Sequence, residues 1–308
     1  MMGLGLKPGD EVITADFTYA STVEVIALLG LTPVLVDVDP ITFNINPESI
    51  EKAITKKTKA IVPVHLFGQV AQMEKIMQIA KKHGIFIIED NAQALGANFT
   101  YSNGNKVKAG CIGDIGTTSF FPSKNLGCFG DGGAIFTNDD ELAHLIRGIA
   151  NHGMYKRYYH DVVGVNSRLD SIQAVVLDEK LKHLDLYNKR RRESALKYSE
   201  YFENNTKIIT PIILGDGDSH VFHQYTLKII DSDRNALGVH LSKNNIPFGV
   251  YYPVPLHLQK AYQDKKYLEV DFSVTNKLIN QVISLPMHSE LDNEQIDFIS
   301  SKVLEFVN

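Results

Sequence analysis

Ile85-Phe86-Ile87-Ile88-Glu89-Asp90-Asn91-Ala92-Gln93 is the stretch on which the fold reading turns. An unbroken apolar run rich in isoleucine describes a strand buried on both faces, the habit of an interior strand in a parallel sheet. The run stops on two carboxylates, so the strand ends where chemistry can begin. Upstream, Met73 to His83 carries apolar residues at Met73, Ile76, Met77, Ile79 and Ala80 and ends at Gly84, a helical spacing with a C-terminal stop. Ala60 to Leu66 and Thr32 to Asp39 read as further strands. Between them Pro47 to Ile54 is a short helix, with Asn46 as N-cap and Pro47 at the first helical position. Downstream, Ile115 to Phe121 and Gly133 to Thr137 are two more strands. Strands alternating with helices of this length predict an α/β fold: a mainly parallel sheet with helices on both faces.

After Asp139-Asp140 the pattern changes. Glu141 to Ile149 is helical, and Arg168 to about Asn204 reads as long helix. Its basic patch, Lys189-Arg190-Arg191-Arg192, is expected to be a solvated helix face. The remainder mixes strands (Gln224 to Ile230, Phe248 to Tyr252) with helices (Asn235 to Asn244, Val274 to Ile283, Asn293 to Val307). This predicts a large domain over residues 1–185 and a smaller α+β domain over 186–308.

The composition narrows the function classes. The chain has 308 residues, a net charge of −5, 44% hydrophobic and 22% charged residues, which excludes general disorder. The mildly acidic balance offers no electrostatic case for nucleic acid. No apolar run approaches membrane-spanning length, the first residues lack the pattern of a signal peptide, and the two cysteines, Cys111 and Cys128, cannot build a disulfide framework. A cytoplasmic location is expected, and no Cys/His/Asp spacing suggests a metal.

Ligands of open parallel sheets sit beyond the carboxyl ends of the strands. One such end carries Asp90. The next carries Ser119 and, five residues on, Lys124. A glycine-rich return follows, Gly127-Cys128-Phe129-Gly130-Asp131-Gly132-Gly133. Taken singly these are ordinary: a carboxylate ending a strand is usually a cap, a loop lysine is usually solvated, and glycines usually make a turn. In this order they suit a charged, phosphate-bearing, imine-forming cofactor such as pyridoxal 5′-phosphate (PLP). A lysine amine supplies the Schiff base. A carboxylate keeps the pyridine nitrogen protonated. Hydroxyl and backbone N–H groups bind phosphate, and glycines allow close backbone approach.

The chain resembles the DegT/DnrJ/EryC1/StrS family of PLP-dependent sugar aminotransferases, of aspartate aminotransferase-like fold (fold type I). The matching segments run almost end to end: Gly9-Asp10-Glu11-Val12-Ile13, Pro63-Val64-His65-Leu66-Phe67-Gly68, Glu89 to Ala94, Ser119 to Gly127, Gly130 to Ala134, Gly164 to Asp170, and Tyr252-Pro253-Val254-Pro255-Leu256-His257. The resemblance implies that Lys124 is the Schiff-base lysine and Asp90 the partner of the pyridinium. It implies that Gln93 lies near the phenolic oxygen and that Ser119 binds phosphate. Tyr19 falls where the family stacks an aromatic ring on the pyridine, and core packing is its alternative. Asn166 matches an asparagine reaching the phosphate from a partner subunit, which implies a homodimer with shared sites. Arg168 and Tyr252 fall in segments lining the sugar-nucleotide site across that interface, against a surface ion pair and a core tyrosine. His65, His152 and His257 receive no catalytic role.

The implied activity is amino transfer from L-glutamate to a nucleotide-diphosphate-linked ketosugar. The motifs look most like those of 3-aminotransferases acting on UDP-2-acetamido-3-oxo-glucuronate-type substrates in surface-polysaccharide synthesis. A 4-ketosugar, of the perosamine or bacillosamine type, is the second reading. Related sugar 3-dehydratases carry histidine in place of the lysine, so Lys124 argues for transamination. The resemblance also leads one to expect a Ser-Gly-Thr-type phosphate-gripping helix ahead of the Gly-Asp-Glu-Val-Ile strand. The chain begins just after that point, so a truncated, inactive family member is a third reading.

Overall fold

The computed structural model describes residues 1–264, 266–267 and 272–308. The first half builds β1 (Glu11–Ala15), α1 (Ser21–Leu28), β2 (Thr32–Val36), α2 (Pro47–Ala53), β3 (Thr58–Val62), α3 (Met73–His83) and β4 (Phe86–Asp90). A short hairpin follows, β5 (Asn98–Thr100) and β6 (Lys106–Lys108), and then β7 (Ile115–Ser119), β8 (Gly133–Phe136) and α4 (Asp140–Ile149). The sheet order is β2-β1-β3-β4-β7-β8, parallel except for the antiparallel edge strand β8.

Local chemistry sets these elements. Asn46 caps α2, its side chain accepting the Glu48 N–H at 2.8 Å ahead of Pro47. α3 ends at Gly84 in the left-handed conformation. Strand alternation then distributes the core. Ile13, Ile61 and Ile87 face one side with Ile50 of α2 and Met73, Ile76 and Ile79 of α3. Val12, Ala60, Val62 and Ile88 face the other with Ile26 of α1 and Leu142 of α4. Burial on both faces is why the β4 run is continuously apolar.

The second half holds β9 (Met154–Lys156), β10 (Tyr159–His160), α5 (Ser171–Leu181), α6 (Leu184–Phe202), β11 (Ile208–Ile209), β12 (Tyr225–Ile229), α7 (Arg234–Lys243), α8 (Ser273–Gln281), β13 (Val282–Leu285) and α9 (Asn293–Val307). An antiparallel sheet, β11-β12-β13, packs with α6, α7 and α9 around Tyr198, Leu227, Leu237, Ile283 and Val303. Leu256, Tyr267 and Phe272 pack instead on Val23 and Leu35 of the first half.

Four expectations are corrected. The helical stretch from Arg168 is two helices, broken at Lys182-His183, where His183 N–H donates to Lys180 O, three residues back rather than four, at 3.0 Å. The helix expected over Val274 to Ile283 stops at Gln281, and Val282 to Leu285 form a fully buried strand because β12 offers its ladder. Phe248 to Tyr252 makes no strand; Gly249 alone bridges to Ser284 before Pro253 interrupts. In the basic patch, Lys189 and Arg190 are exposed, but Arg191 is buried. Its guanidinium donates to the carbonyls of Phe222, His223 and Met287, and burial pushes it down to about 10.

Candidate active site

The carboxyl ends of β1, β3, β4 and β7 share one edge of the sheet. The chain leaves β1 for β2 on one side and leaves β3 for β4 on the other, so the switch point of the sheet lies between the carboxyl ends of β1 and β3. Asp90 closes β4. Its backbone is locked by His65 N–H donating to its carbonyl at 3.0 Å and its own N–H donating to Pro63 at 2.9 Å. Its side chain accepts Thr22 Oγ1–H at 2.6 Å on Oδ2 and Ala92 N–H at 3.1 Å on Oδ1.

Lys124 faces Asp90 from the loop after β7. Burial pushes its ammonium below the ordinary lysine range, and the Asp90 charge pulls the other way. The loop that presents it is tightly wound: Lys124 N–H donates to Phe121 O and Cys128 N–H to Phe120 O, both at 2.8 Å. A Cβ at Gly127 would lie 2.4 Å from Pro122 O, so only glycine closes the turn. Asn125 fastens the loop from behind, donating to Asn188 Oδ1 at 2.7 Å and Val221 O at 3.0 Å, while Asn188 donates to Leu95 O at 3.0 Å. His223 stands near the same amine. Burial first, then the Lys124 and Arg191 charges, hold its imidazole well below the usual range.

Gln93 Oε1 accepts Phe67 N–H at 2.6 Å, which settles the orientation of the amide because a backbone N–H can only donate. Gln93 Nε2 is thereby presented to Tyr252 Oη at 3.2 Å. Burial raises the Tyr252 phenol, with Gln93 opposing. The Tyr252 ring lies 6.0 Å from Phe17 and 6.2 Å from Tyr19. Tyr19 is 60% exposed, so ordinary core packing does not explain it. Tyr252 was expected across a subunit interface; within the single chain it is already seated on its own Gln93.

Ser119 ends β7 and accepts Phe121 N–H at 3.2 Å. Asp90 is in register with Thr117, and side chains two apart share a face, so Ser119 stands on the same side of the sheet as Asp90. Asn166 and Arg168 are placed differently. Arg168 Nε donates to Asn166 Oδ1 at 3.0 Å, both are exposed, and among the described residues no hydrogen bond joins either to Asp90, Gln93 or Lys124. Their segment is nonetheless well held, with Val165 N–H on Ile149 O and Ser167 N–H on Ala150 O.

Sequence reasoning missed Thr22, Asn188 and His223. A threonine three positions after Tyr19 at a helix start was the available signal for the first. The other two carry none, since their partners are remote.

The donor set fits PLP. A desolvated amine, a carboxylate facing it, a free amide N–H, a strand-end hydroxyl and an exposed aromatic ring converge from separate elements. His223 Nδ1, buried and without a hydrogen-bond partner among the described residues, lies within reach of the Lys124 charge.

The model of the DegT/DnrJ/EryC1/StrS aminotransferase family matches residues 1–304. The chain belongs to this family. A pleiotropic regulatory protein of Geobacillus stearothermophilus is 47% identical over 311 residues, covering 99% of this chain and 81% of that protein. The UDP-2-acetamido-2-deoxy-3-oxo-D-glucuronate aminotransferase of Pseudomonas aeruginosa is 47% identical over 299 residues, covering 97% and 80%. Among solved structures, NtdA of Bacillus subtilis with bound cofactor PMP aligns with a TM-score of 0.90 at 34% identity, covering 99% of this chain and 69% of that one. The expected fold type I architecture is borne out by this family member's mainly parallel sheet.

Proposed function

We propose that this family member is a PLP-dependent aminotransferase that moves an amino group from L-glutamate to a nucleotide-linked ketosugar. The observation that carries the reading is the placement of Lys124, on the tight loop after β7, beside the β4 strand end that presents Asp90, with its amine largely buried and within reach of the Asp90 charge. When bound, PLP supplies an electron sink for a carbanion at the amino-bearing carbon.

The chain's own residues do the rest. Lys124 Nζ, its ammonium disfavoured by burial, would hold PLP through the cofactor's aldehyde carbon, and as a free amine it is placed to take up and return the substrate's Cα proton. Asp90 would hold the positive ring nitrogen. Gln93 would offer its second N–H to the phenolic oxygen, Tyr19 would cover one face of the ring and Ser119 would bind phosphate. Tyr252 closes the crevice over Gln93 and excludes water from it.

Asn166 and Arg168 complete the site from a second copy of the chain. Support comes from their exposed, well-fastened segment and from the apolar side chains around it: Val163 is 85%, Ile172 75% and Val175 71% exposed. The resemblance to the Pseudomonas aeruginosa enzyme favours a UDP-3-ketosugar, with the Arg168 guanidinium suited to a sugar carboxylate. A 4-ketosugar is the second reading. A cytoplasmic location belongs to the same proposal, and the free thiols Cys111 and Cys128 suit a reducing compartment.

The test is reconstitution with PLP followed by a panel of UDP-, dTDP- and GDP-ketosugars with glutamate. A visible absorbance band lost in Lys124→Ala, and turnover of UDP-3-ketosugars, are expected. A band indifferent to that substitution contradicts the Lys124 assignment, and turnover of 4-ketosugars alone contradicts the substrate reading.

A further inference from the structure

We propose that Thr22 is a positioning residue, whose hydroxyl sets the rotation of the Asp90 carboxylate for the cofactor's ring nitrogen. The inference rests on the PLP reading above and goes beyond it by naming what holds the carboxylate.

Thr22 occupies the first turn of α1 and is 4% exposed. A threonine hydroxyl inside a helix ordinarily turns back to a carbonyl of the preceding turn, but Thr22, second residue of α1, has no such turn behind it. Its hydroxyl instead donates 2.6 Å to Asp90 Oδ2, a residue 68 positions away. The length is that of a strong hydrogen bond to a carboxylate.

The terminal torsion of an aspartate is a broad, soft rotor. Two donors on different oxygens remove that freedom: Thr22 on Oδ2 and Ala92 N–H on Oδ1. A carboxylate offers about four lone-pair directions, so a defined pair remains for an incoming cation. The hydroxyl is itself fixed, because the neighbouring Val23 and Ile26 anchor α1 in the core at 0% exposure. Tyr19 stands three residues earlier at the entry to the same helix. One helix start thus delivers both the aromatic ring and the group that aims the carboxylate. The titratable groups that feel the Asp90 charge are Lys124, from the β7 loop, and Tyr252, from the segment before His257. Among the described residues, only Thr22 and the Ala92 N–H bond to its carboxylate oxygens, so the aim of the carboxylate falls to them.

The experiment loads wild type, Thr22→Val and Thr22→Ser with PLP. It follows retention on dialysis, the pH midpoint of the visible band, and the melting temperature of the cofactor-free protein. Valine keeps the shape and removes the donor. Thr22→Val is expected to retain PLP roughly tenfold more weakly. Its band midpoint is expected to move to higher pH, because a poorly aimed Asp90 leaves the ring nitrogen less protonated and less electron-withdrawing. Thr22→Ser restores both. A Val variant that matches wild type in retention and midpoint overturns the inference. So does one that loses retention and cofactor-free stability together at an unchanged midpoint, since that is the signature of a helix tie. A wild type that develops no band overturns the PLP reading itself, before any variant is compared.

Discussion

His65 Nε2 lies 2.9 Å from Glu89 Oε2, and neither side chain is exposed at all. Ala71 N–H donates to His65 Nδ1, so the ring proton sits on Nε2 and points at the carboxylate. Glu89 also accepts the backbone N–H groups of Gly110, Ile112 and Gly113. One buried carboxylate therefore ties β4 to the loops on either side of it, immediately before Asp90.

Burial raises the Glu89 carboxyl, but the His65 contact and the Gly113 and Gly110 N–H bonds outweigh it, and the net position is below the ordinary 4.5. A depressed carboxylate stabilises the fold above its unfolded pKa, and that contribution is lost as pH falls through the folded value. Glu89→Gln is expected to cost about 3–5 kcal/mol at pH 7, with the gap to wild type shrinking below pH about 4.5. Urea unfolding at pH 7 and pH 4 checks this, and a gap independent of pH contradicts it.

His220 stacks on Phe222 with ring centroids 3.8 Å apart and accepts Phe222 N–H on Nδ1 at 3.0 Å. Burial pushes its imidazole down to about 3. A histidine held neutral contributes stability that is intact above its unfolded pKa, near 6.5, and lost as pH falls towards the folded value. Wild-type stability should therefore fall from about pH 6.5 downward. His220→Asn, which keeps an acceptor for Phe222, should shallow that slope by at most about 1.4 kcal/mol per pH unit. Identical acid branches would refute the assignment.

Asn188 joins α6 to the lysine loop through Asn125 and to Leu95. Asn188→Ala leaves buried donors and acceptors unpaired, which costs about 1–3 kcal/mol. PLP retention should fall along with stability, because the loop that aims Lys124 loses its rear support. Calorimetry and dialysis on the same preparation measure both, and unchanged retention would separate Asn188 from the site.

Ile172 and Val175 lie three apart on one exposed face of α5. The double substitution Ile172→Asp/Val175→Asp is expected to yield a folded monomer with transaminase activity lost, the outcome required by the proposal that Asn166 and Arg168 complete a neighbouring site. Light scattering with circular dichroism decides it; an active monomer is the contrary outcome.

The alternation of strand and helix, the α2 cap, the Gly84 stop and the carboxylate ending β4 were all legible in the residues, because each depends on neighbours within one or two turns. Local pattern misled at Val282, where an available strand edge outweighed continued helix, and at Arg191, where charge alone said solvent. Tyr19, Asp90, Gln93, Ser119 and Lys124 could be placed along the chain, but their mutual arrangement could not be read there.

Sequence by itself determined that an α/β chain carries a lysine, a carboxylate and a hydroxyl at successive strand ends, because backbone periodicity and turn chemistry are local properties. Tertiary structure decided what aims them. Thr22 meets Asp90 across 68 positions, Gln93 meets Tyr252 across 159, and Asn125 meets Asn188 across 63. A buried polar group must find a partner wherever packing supplies one, and packing is set by the whole sheet and its helices rather than by any segment.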